Sequence, residues 1–135
     1  MIASPEAVFT GNAPKPIPQL SQAVKYNGMV YCSGSLGIDP KTSKFVEGTI
    51  QDRTRQALKN LAAVLEAAGS SLKNVVKVNV FLTDMSNFGA MNDVYDEFFA
   101  WQPKPCRTCV AVHQLPLSTD VEIECTAFES VKARL

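Results

Sequence analysis

Two full charges stand in stretches of this 135-residue chain that otherwise read as β-strand. Arg107 lies in Pro105-Cys106-Arg107-Thr108-Cys109-Val110-Ala111-Val112, and Glu124 lies in Val121-Glu122-Ile123-Glu124-Cys125. An arginine and a glutamate among apolar strand residues are either solvated surface charges or an anion site with a base beside it. A guanidinium held partly out of water needs a carboxylate, from the protein or from a ligand, because an unpaired buried charge costs several kcal/mol. By parity Val121, Ile123, Cys125 and Ala127 share one face of the last strand, and Glu122, Glu124, Thr126 and Phe128 share the other. Val76, Val78, Val80 and Leu82 are expected to face the same side as the first set, with Lys77, Asn79 and Phe81 on the reverse. Placing Val110 and Val112 toward the helices puts Arg107, Cys109 and Ala111 on the reverse face with Glu124. Arg107 and Glu124 then either pair with each other or meet a ligand, and Glu122 reads as a rim or solvated charge.

Other groups carry less chemistry. Cys106 and Cys109 form a C-x-x-C, but on a strand these positions point to opposite faces, so reduced thiols are expected rather than a metal or redox pair. His113 is the single histidine, which leaves a serine or cysteine nucleophile almost without a base. Ser33-Gly34-Ser35-Leu36-Gly37 has neither nucleophile-elbow spacing nor a phosphate-loop lysine. No cofactor motif is visible, and neither cofactor nor metal is expected.

The elements that must position these charges follow from pattern. Glu6-Ala7-Val8-Phe9 suits a short edge strand, and Pro14, Pro16 and Pro18 keep the next segment extended. Asn27-Gly28 between Gln22–Tyr26 and Met29–Ser33 is a strong hairpin signal. Gly34, Gly37 and Asp39-Pro40 open a loop. Thr49 with Asp52 at N3 starts a helix whose apolar positions Leu58, Leu61, Ala62, Leu65 and Ala68 recur at helical spacing, and Gly69 ends it. Alternation over Val76–Leu82 argues strand. Phe88, Met91, Tyr95, Phe98 and Phe99 mark a second helix and supply core, stopped by Pro103 and Pro105. The two charged strands then form a closing hairpin joined by Gln114–Asp120. The order β-β-(β)-α-β-α-β-β suits one α+β domain over residues 1–135, a mixed sheet with both helices on one face.

Totals set the remaining bounds. Thirteen basic residues balance thirteen acidic ones, so there is no electrostatic footprint for nucleic acid. Hydrophobic residues at 46% and charged ones at 19% are ordinary for a globular domain. No apolar run reaches the roughly 18 residues of a membrane span. Met1–Glu6 lacks the features of an export signal or an arginine-rich presequence, so a cytoplasmic protein is expected, with mitochondrial residence as the alternative. The reverse face mixes Phe81, Phe128, Ala111 and Cys109 with its charges, a composition that suits contact with another copy of the chain.

The motifs together resemble the reactive-intermediate deaminase family (Rid, also YjgF). The resemblance rests on Pro105–Val110 with Val121–Glu124, on Ser21-Gln22-Ala23-Val24, Val30–Gly34 and Asp39–Thr42, and on Gln56–Leu61, Glu66–Gly69 and Asn74–Lys77. Met91-Asn92-Asp93-Val94-Tyr95 with Phe98-Phe99 extends it over nearly the whole chain. It implies a chorismate-mutase-like fold, a homotrimer with clefts between subunits, and hydrolysis of 2-imino acids to 2-keto acids and ammonia without a cofactor. It further implies that Arg107 clamps the substrate carboxylate, that Glu124 holds the attacking water, and that the Cys109 backbone meets the substrate nitrogen. Leu20, Ser33, Gly34 and Asn92 would line the pocket. The chain departs from the family pattern at Leu20, where an aromatic hydroxyl is usual, and at Ser35, where glutamine is usual. Two further readings accompany the deaminase: a non-catalytic trimer binding small carboxylates or partner proteins, favoured by Leu20, and an RNA-directed activity, disfavoured by zero net charge.

Overall fold

The computed structural model describes residues 4–131, so the first residues read for a leader lie outside the described part. Strands β1 (Glu6–Val8), β2 (Ala23–Tyr26) and β3 (Met29–Cys32) lead to a small two-stranded ribbon, β4 (Ile38–Asp39) with β5 (Lys44–Phe45). Helix α1 (Ile50–Ala67), strand β6 (Val75–Leu82), helix α2 (Phe88–Phe98), strand β7 (Cys106–Ala111) and strand β8 (Val121–Phe128) follow. Six strands form one mixed sheet in the order β1-β2-β3-β8-β6-β7. The fold is α+β, a mixed sheet with two helices, as the pattern predicts.

Local chemistry explains the elements. Asn27 and Gly28 both adopt positive φ (54° and 82°), the geometry a two-residue β2–β3 hairpin turn requires. Thr49 caps α1 by accepting from the Gln51 N–H, while Asp52 accepts from the Thr49 N–H, a capping box. At the other end Gly69 sits at φ 77°, and the Gly69 and Ser70 N–H groups bond the Glu66 and Leu65 carbonyls. This paired closure satisfies two carbonyls that the helix end would otherwise leave open. The core lies between sheet and helices: Val78, Val80, Leu82, Val121 and Ile123 pack with Leu58, Leu65 and Met91, all essentially inaccessible to water. Each such side chain stabilises the fold by about 1.5–3 kcal/mol.

The structure corrects the sequence reading in three places. Strands β7 and β8 are not a hairpin, because β6 lies between them, antiparallel to β8 and parallel to β7. Val78 and Val80 are fully buried, so both edges of β6 need backbone partners. Pairing β7 with β8 alone would leave one edge orphaned. α2 supplies the crossover that a parallel pair needs.

Secondly, a bulge between Val75 and Lys77 turns Val75 inward and leaves Val76 41% exposed, against the simple alternation. Thirdly, the parity of β7 is inverted. Its register sets Arg107 beside Val78 and Cys109 beside Val80, so both share the helix-facing side, and Val110 is 42% exposed on the reverse. The valines of an edge strand carry no compulsion to face the core. There the helix layer ends, and a long polar side chain fits its margin.

Candidate active site

The inverted parity separates the two charges that opened the sequence reading. Glu124 stands opposite Asn79 on the reverse face, and Arg107 is on the helix face. They cannot pair within one chain, which removes that alternative. Arg107 forms no ion pair with any described residue.

Its guanidinium is nonetheless held firmly. The carbon at its centre lies 4.7 Å from the Tyr95 ring centroid and 5.4 Å from that of Phe88, so two aromatic faces of α2 support the cation. Nη1 donates to Asn92 Oδ1 at 2.6 Å. Tyr95 had read only as core. It is both core and platform, and burial pushes its phenol up to about 12, against the lowering influence of Arg107. Arg107, Asn92, Tyr95 and Lys104 border a hollow of about 310 Å³. Lys104 Nζ is already committed to the Phe99 carbonyl at 2.6 Å, which leaves Arg107 as the hollow's available cation.

Cys109 follows on the same strand face, packed against the core, and burial raises its thiol pKa while Arg107 lowers it. Its backbone matters more. Val112 N–H donates to the Leu82 carbonyl, so alternation turns the backbone groups of Arg107, Cys109 and Ala111 away from β6. β7 is the outermost strand, and those groups therefore point to an open edge.

The remaining expected residues gather elsewhere. Leu20, Ser33 and Gly34 line a second cavity, of about 370 Å³, together with Glu122. Ser33 and Ser35 flank the reason. Ser35 exchanges two backbone hydrogen bonds with Ile123, at 2.7 and 3.0 Å, which ties the loop after β3 along β8. Gly34 then lies under the Glu122 side chain. A Cβ at position 34 would stand 2.7 Å from Glu122 Cδ, so glycine is what lets the carboxylate lie there. Ser33 Oγ donates to the Ser21 carbonyl at 2.6 Å and serves to hold the loop.

Glu122 is half-buried, not a solvated rim charge. Burial and then the nearby Glu124 raise its carboxyl pKa. It has no hydrogen-bond or ion-pair partner among the described side chains. Glu124, two residues on, accepts from Asn79 Nδ2 at 3.3 Å and does not line the cavity. Sequence parity treats positions 122 and 124 alike. The Ser35–Ile123 bridge and the Asn79 hydrogen bond tell them apart.

A small α+β protein with an aromatic-backed arginine at one sheet edge and an unpartnered carboxylate beside a glycine loop is a candidate binder of small carboxylates. A family model described as Endoribonuclease L-PSP matches residues 10–129, and the chain belongs to that family, which includes the Rid proteins. It is 53% identical over 112 residues to the mitochondrial protein mmf1 of Schizosaccharomyces pombe, covering 81% of this chain and 67% of that one. It is 44% identical over 122 residues to a 2-iminobutanoate/2-iminopropanoate deaminase of Dermatophagoides farinae, covering 90% and 94%. The crystal structure of yeast Mmf1 superposes with a TM-score of 0.91 at 42% identity, covering 94% of this chain and all of that one.

Proposed function

We propose that this protein hydrolyses 2-imino acids to 2-keto acids and ammonia, without a cofactor, in clefts between the subunits of a homotrimer. The observation that carries the reading is the division of the site. Arg107 is held on one face at the β7 edge, and Glu122 waits on the other beside Gly34. One chain cannot bring them together, whereas a cleft between two copies can. The reverse face offers such a contact, since Tyr31, Val110 and Phe128 are exposed there.

In that cleft the guanidinium takes the substrate carboxylate in a charge-assisted, two-pronged contact. The outward backbone of Cys109 meets the imine nitrogen. Glu122, rather than Glu124, holds the water that adds to the C=N carbon, and Asn92 and Tyr95 keep Arg107 in place. Water's oxygen bonds to carbon and its protons pass to nitrogen. The carbinolamine then expels ammonia as the carbonyl forms. A carboxyl whose pKa is raised by burial and by the nearby Glu124 suits taking and returning a proton. Support also comes from the relative named a 2-iminobutanoate/2-iminopropanoate deaminase. The relative named as mitochondrial supports the organellar alternative to cytoplasmic residence.

Leu20 favours a second reading, a trimer that binds small carboxylates or partner proteins without turnover, because it offers no hydroxyl at the cavity mouth. The test is the decay of 2-iminopropanoate and 2-iminobutanoate, generated in place by an amino-acid oxidase, with and without protein. Acceleration by wild type and its loss in Arg107→Ala support the deaminase. Equal decay with both proteins leaves the binding module.

A further inference from the structure

The cavity beside Glu122 is larger than the smallest imino acids need. Its roughly 370 Å³ sits at the lower end of small-ligand pockets, and a methyl side chain would leave most of it empty. Its walls are apolar: Ile17, Leu20, Leu36, Leu61, Val64 and Leu117 supply much of the surface. The amides and hydroxyls among them are already spent inside the protein. Asn60 Nδ2 donates to the Leu36 and Ile38 carbonyls, Gln22 Nε2 to the Thr10 and Pro14 carbonyls, and Ser35 Oγ to the Ala57 carbonyl. Only at the Glu122 end does the lining meet an uncommitted carboxylate. Apart from Glu122 and the exposed Lys15, a guest entering here finds an apolar interior.

The mouth adds an independent observation. Leu117 is 74% exposed and adopts φ 56°, and Ser118 beside it adopts φ 57°. A leucine in the left-handed region is strained, and glycine would sit there more comfortably. Strain of this type persists where the surrounding structure enforces it, and it gathers at binding sites. Ile17, 59% exposed, belongs to the same lining. Two costly exposed apolar side chains therefore border a cavity that is apolar within.

We infer that this cavity is the side-chain subsite of the enzyme and that it selects 2-imino acids with long or branched apolar side chains over the short 2-iminopropanoate and 2-iminobutanoate. The inference rests on the deaminase reading and deepens it. Burial of each added methylene favours the longer substrate by about fourfold, so three methylenes give about sixtyfold.

The experiment compares kcat/KM for the imines of alanine, norvaline, norleucine and leucine, each generated by an amino-acid oxidase with catalase and corrected for unassisted hydrolysis. The readout is the ratio of norleucine to alanine imine, in wild type, Leu117→Gly and Ile17→Ala. Leu117→Gly relieves the backbone strain while deleting the side chain, so a lower ratio cannot be charged to misfolding. A ratio well above ten that falls at least threefold in either variant is the expected result. A ratio near one, or a high ratio that both variants preserve, overturns the inference while leaving the deaminase in place. No acceleration of any imine removes the deaminase reading, and the inference with it.

Discussion

Arg53 and Asp120 provide the sharpest energetic test of how the carboxylate half of the site is held. Arg53 Nε donates to Asp120 Oδ1 at 2.8 Å and Nη2 to Oδ2 at 2.6 Å, while Nη1 reaches the Gly48 carbonyl at 3.0 Å. The pair joins α1 to the residue before β8, two positions ahead of Glu122. Both side chains are about three-quarters buried, at 22% and 28% exposure. An exposed pair gives roughly 0.2–1 kcal/mol, and a two-pronged, partly desolvated one about 1–2 kcal/mol. Asp120→Ala also strands the guanidinium, so its total cost is about 2 kcal/mol, or a Tm drop of about 6–10 °C at this chain length. Urea melts of wild type, Arg53→Ala, Asp120→Ala and the double variant at one protein concentration give the coupling. A value below about 0.3 kcal/mol would refute the clamp. The pH dependence supplies a second check. The Arg53 hydrogen bonds lower the Asp120 pKa from 3.8. Its contribution is therefore fully present above that value and is lost as pH falls through the lower, folded one. The gap between wild type and Asp120→Ala should stay constant at pH 5–7 and narrow in stronger acid.

Glu122→Gln should divide stability from activity. The folded pKa is raised, so Glu122 contributes stability below the ordinary 4.5 that is lost as pH rises through the folded value. The variant should therefore melt no lower than wild type at pH 7, while imine hydrolysis falls about 100-fold or more; normal turnover would remove Glu122 from the mechanism. Gly34→Ala should push the Glu122 carboxylate aside and lower kcat about tenfold or more, with stability changed by less than about 1 kcal/mol because the displaced group is a flexible side-chain end. Unchanged kcat would show that the contact is incidental. Thiol reagents on native protein should modify exposed Cys106 first. Buried Cys125, whose pKa is raised by its Cys32 neighbour and by burial, should react only as the protein unfolds. Equal rates would contradict the packing.

Local signals in the sequence were read correctly where their causes are local. The Asn27-Gly28 turn, the Thr49–Asp52 cap, the Gly69 stop and the alternation of Val121–Ala127 all depend on neighbours a few residues away. The opposed positions of Cys106 and Cys109 followed from the same rule. Strand order did not, because pairing β8 with both β3 and β6 is a choice among distant partners. The face of Arg107 was misjudged for a related reason. Hydrophobicity assigns parity well to a central strand, which must bury one side, and poorly to an edge strand such as β7. The half-burial of Glu122 was not legible, since nothing within Val121–Glu124 separates the two glutamates. What separates them is a loop nearly ninety residues upstream, and even there the signal is a backbone bridge that Gly34 permits but does not announce.

The order of the strands also bears on how the chain is made. β8, the last strand in sequence, is a central strand of the sheet, hydrogen-bonded to β3 on one side and β6 on the other. Until Val121–Phe128 has been synthesised, β1-β2-β3 and β6-β7 are two fragments with raw edges and half a core. Once β7 has been made and until β8 follows, two sheet edges remain unpaired, and unpaired edges are prone to aggregation. Folding then depends on contacts of high sequence separation, such as Met29 with Phe128, which close late and slowly. The residues that carry Glu122 are thus also the keystone of the fold, and the carboxylate is put in place by the same event that completes the sheet.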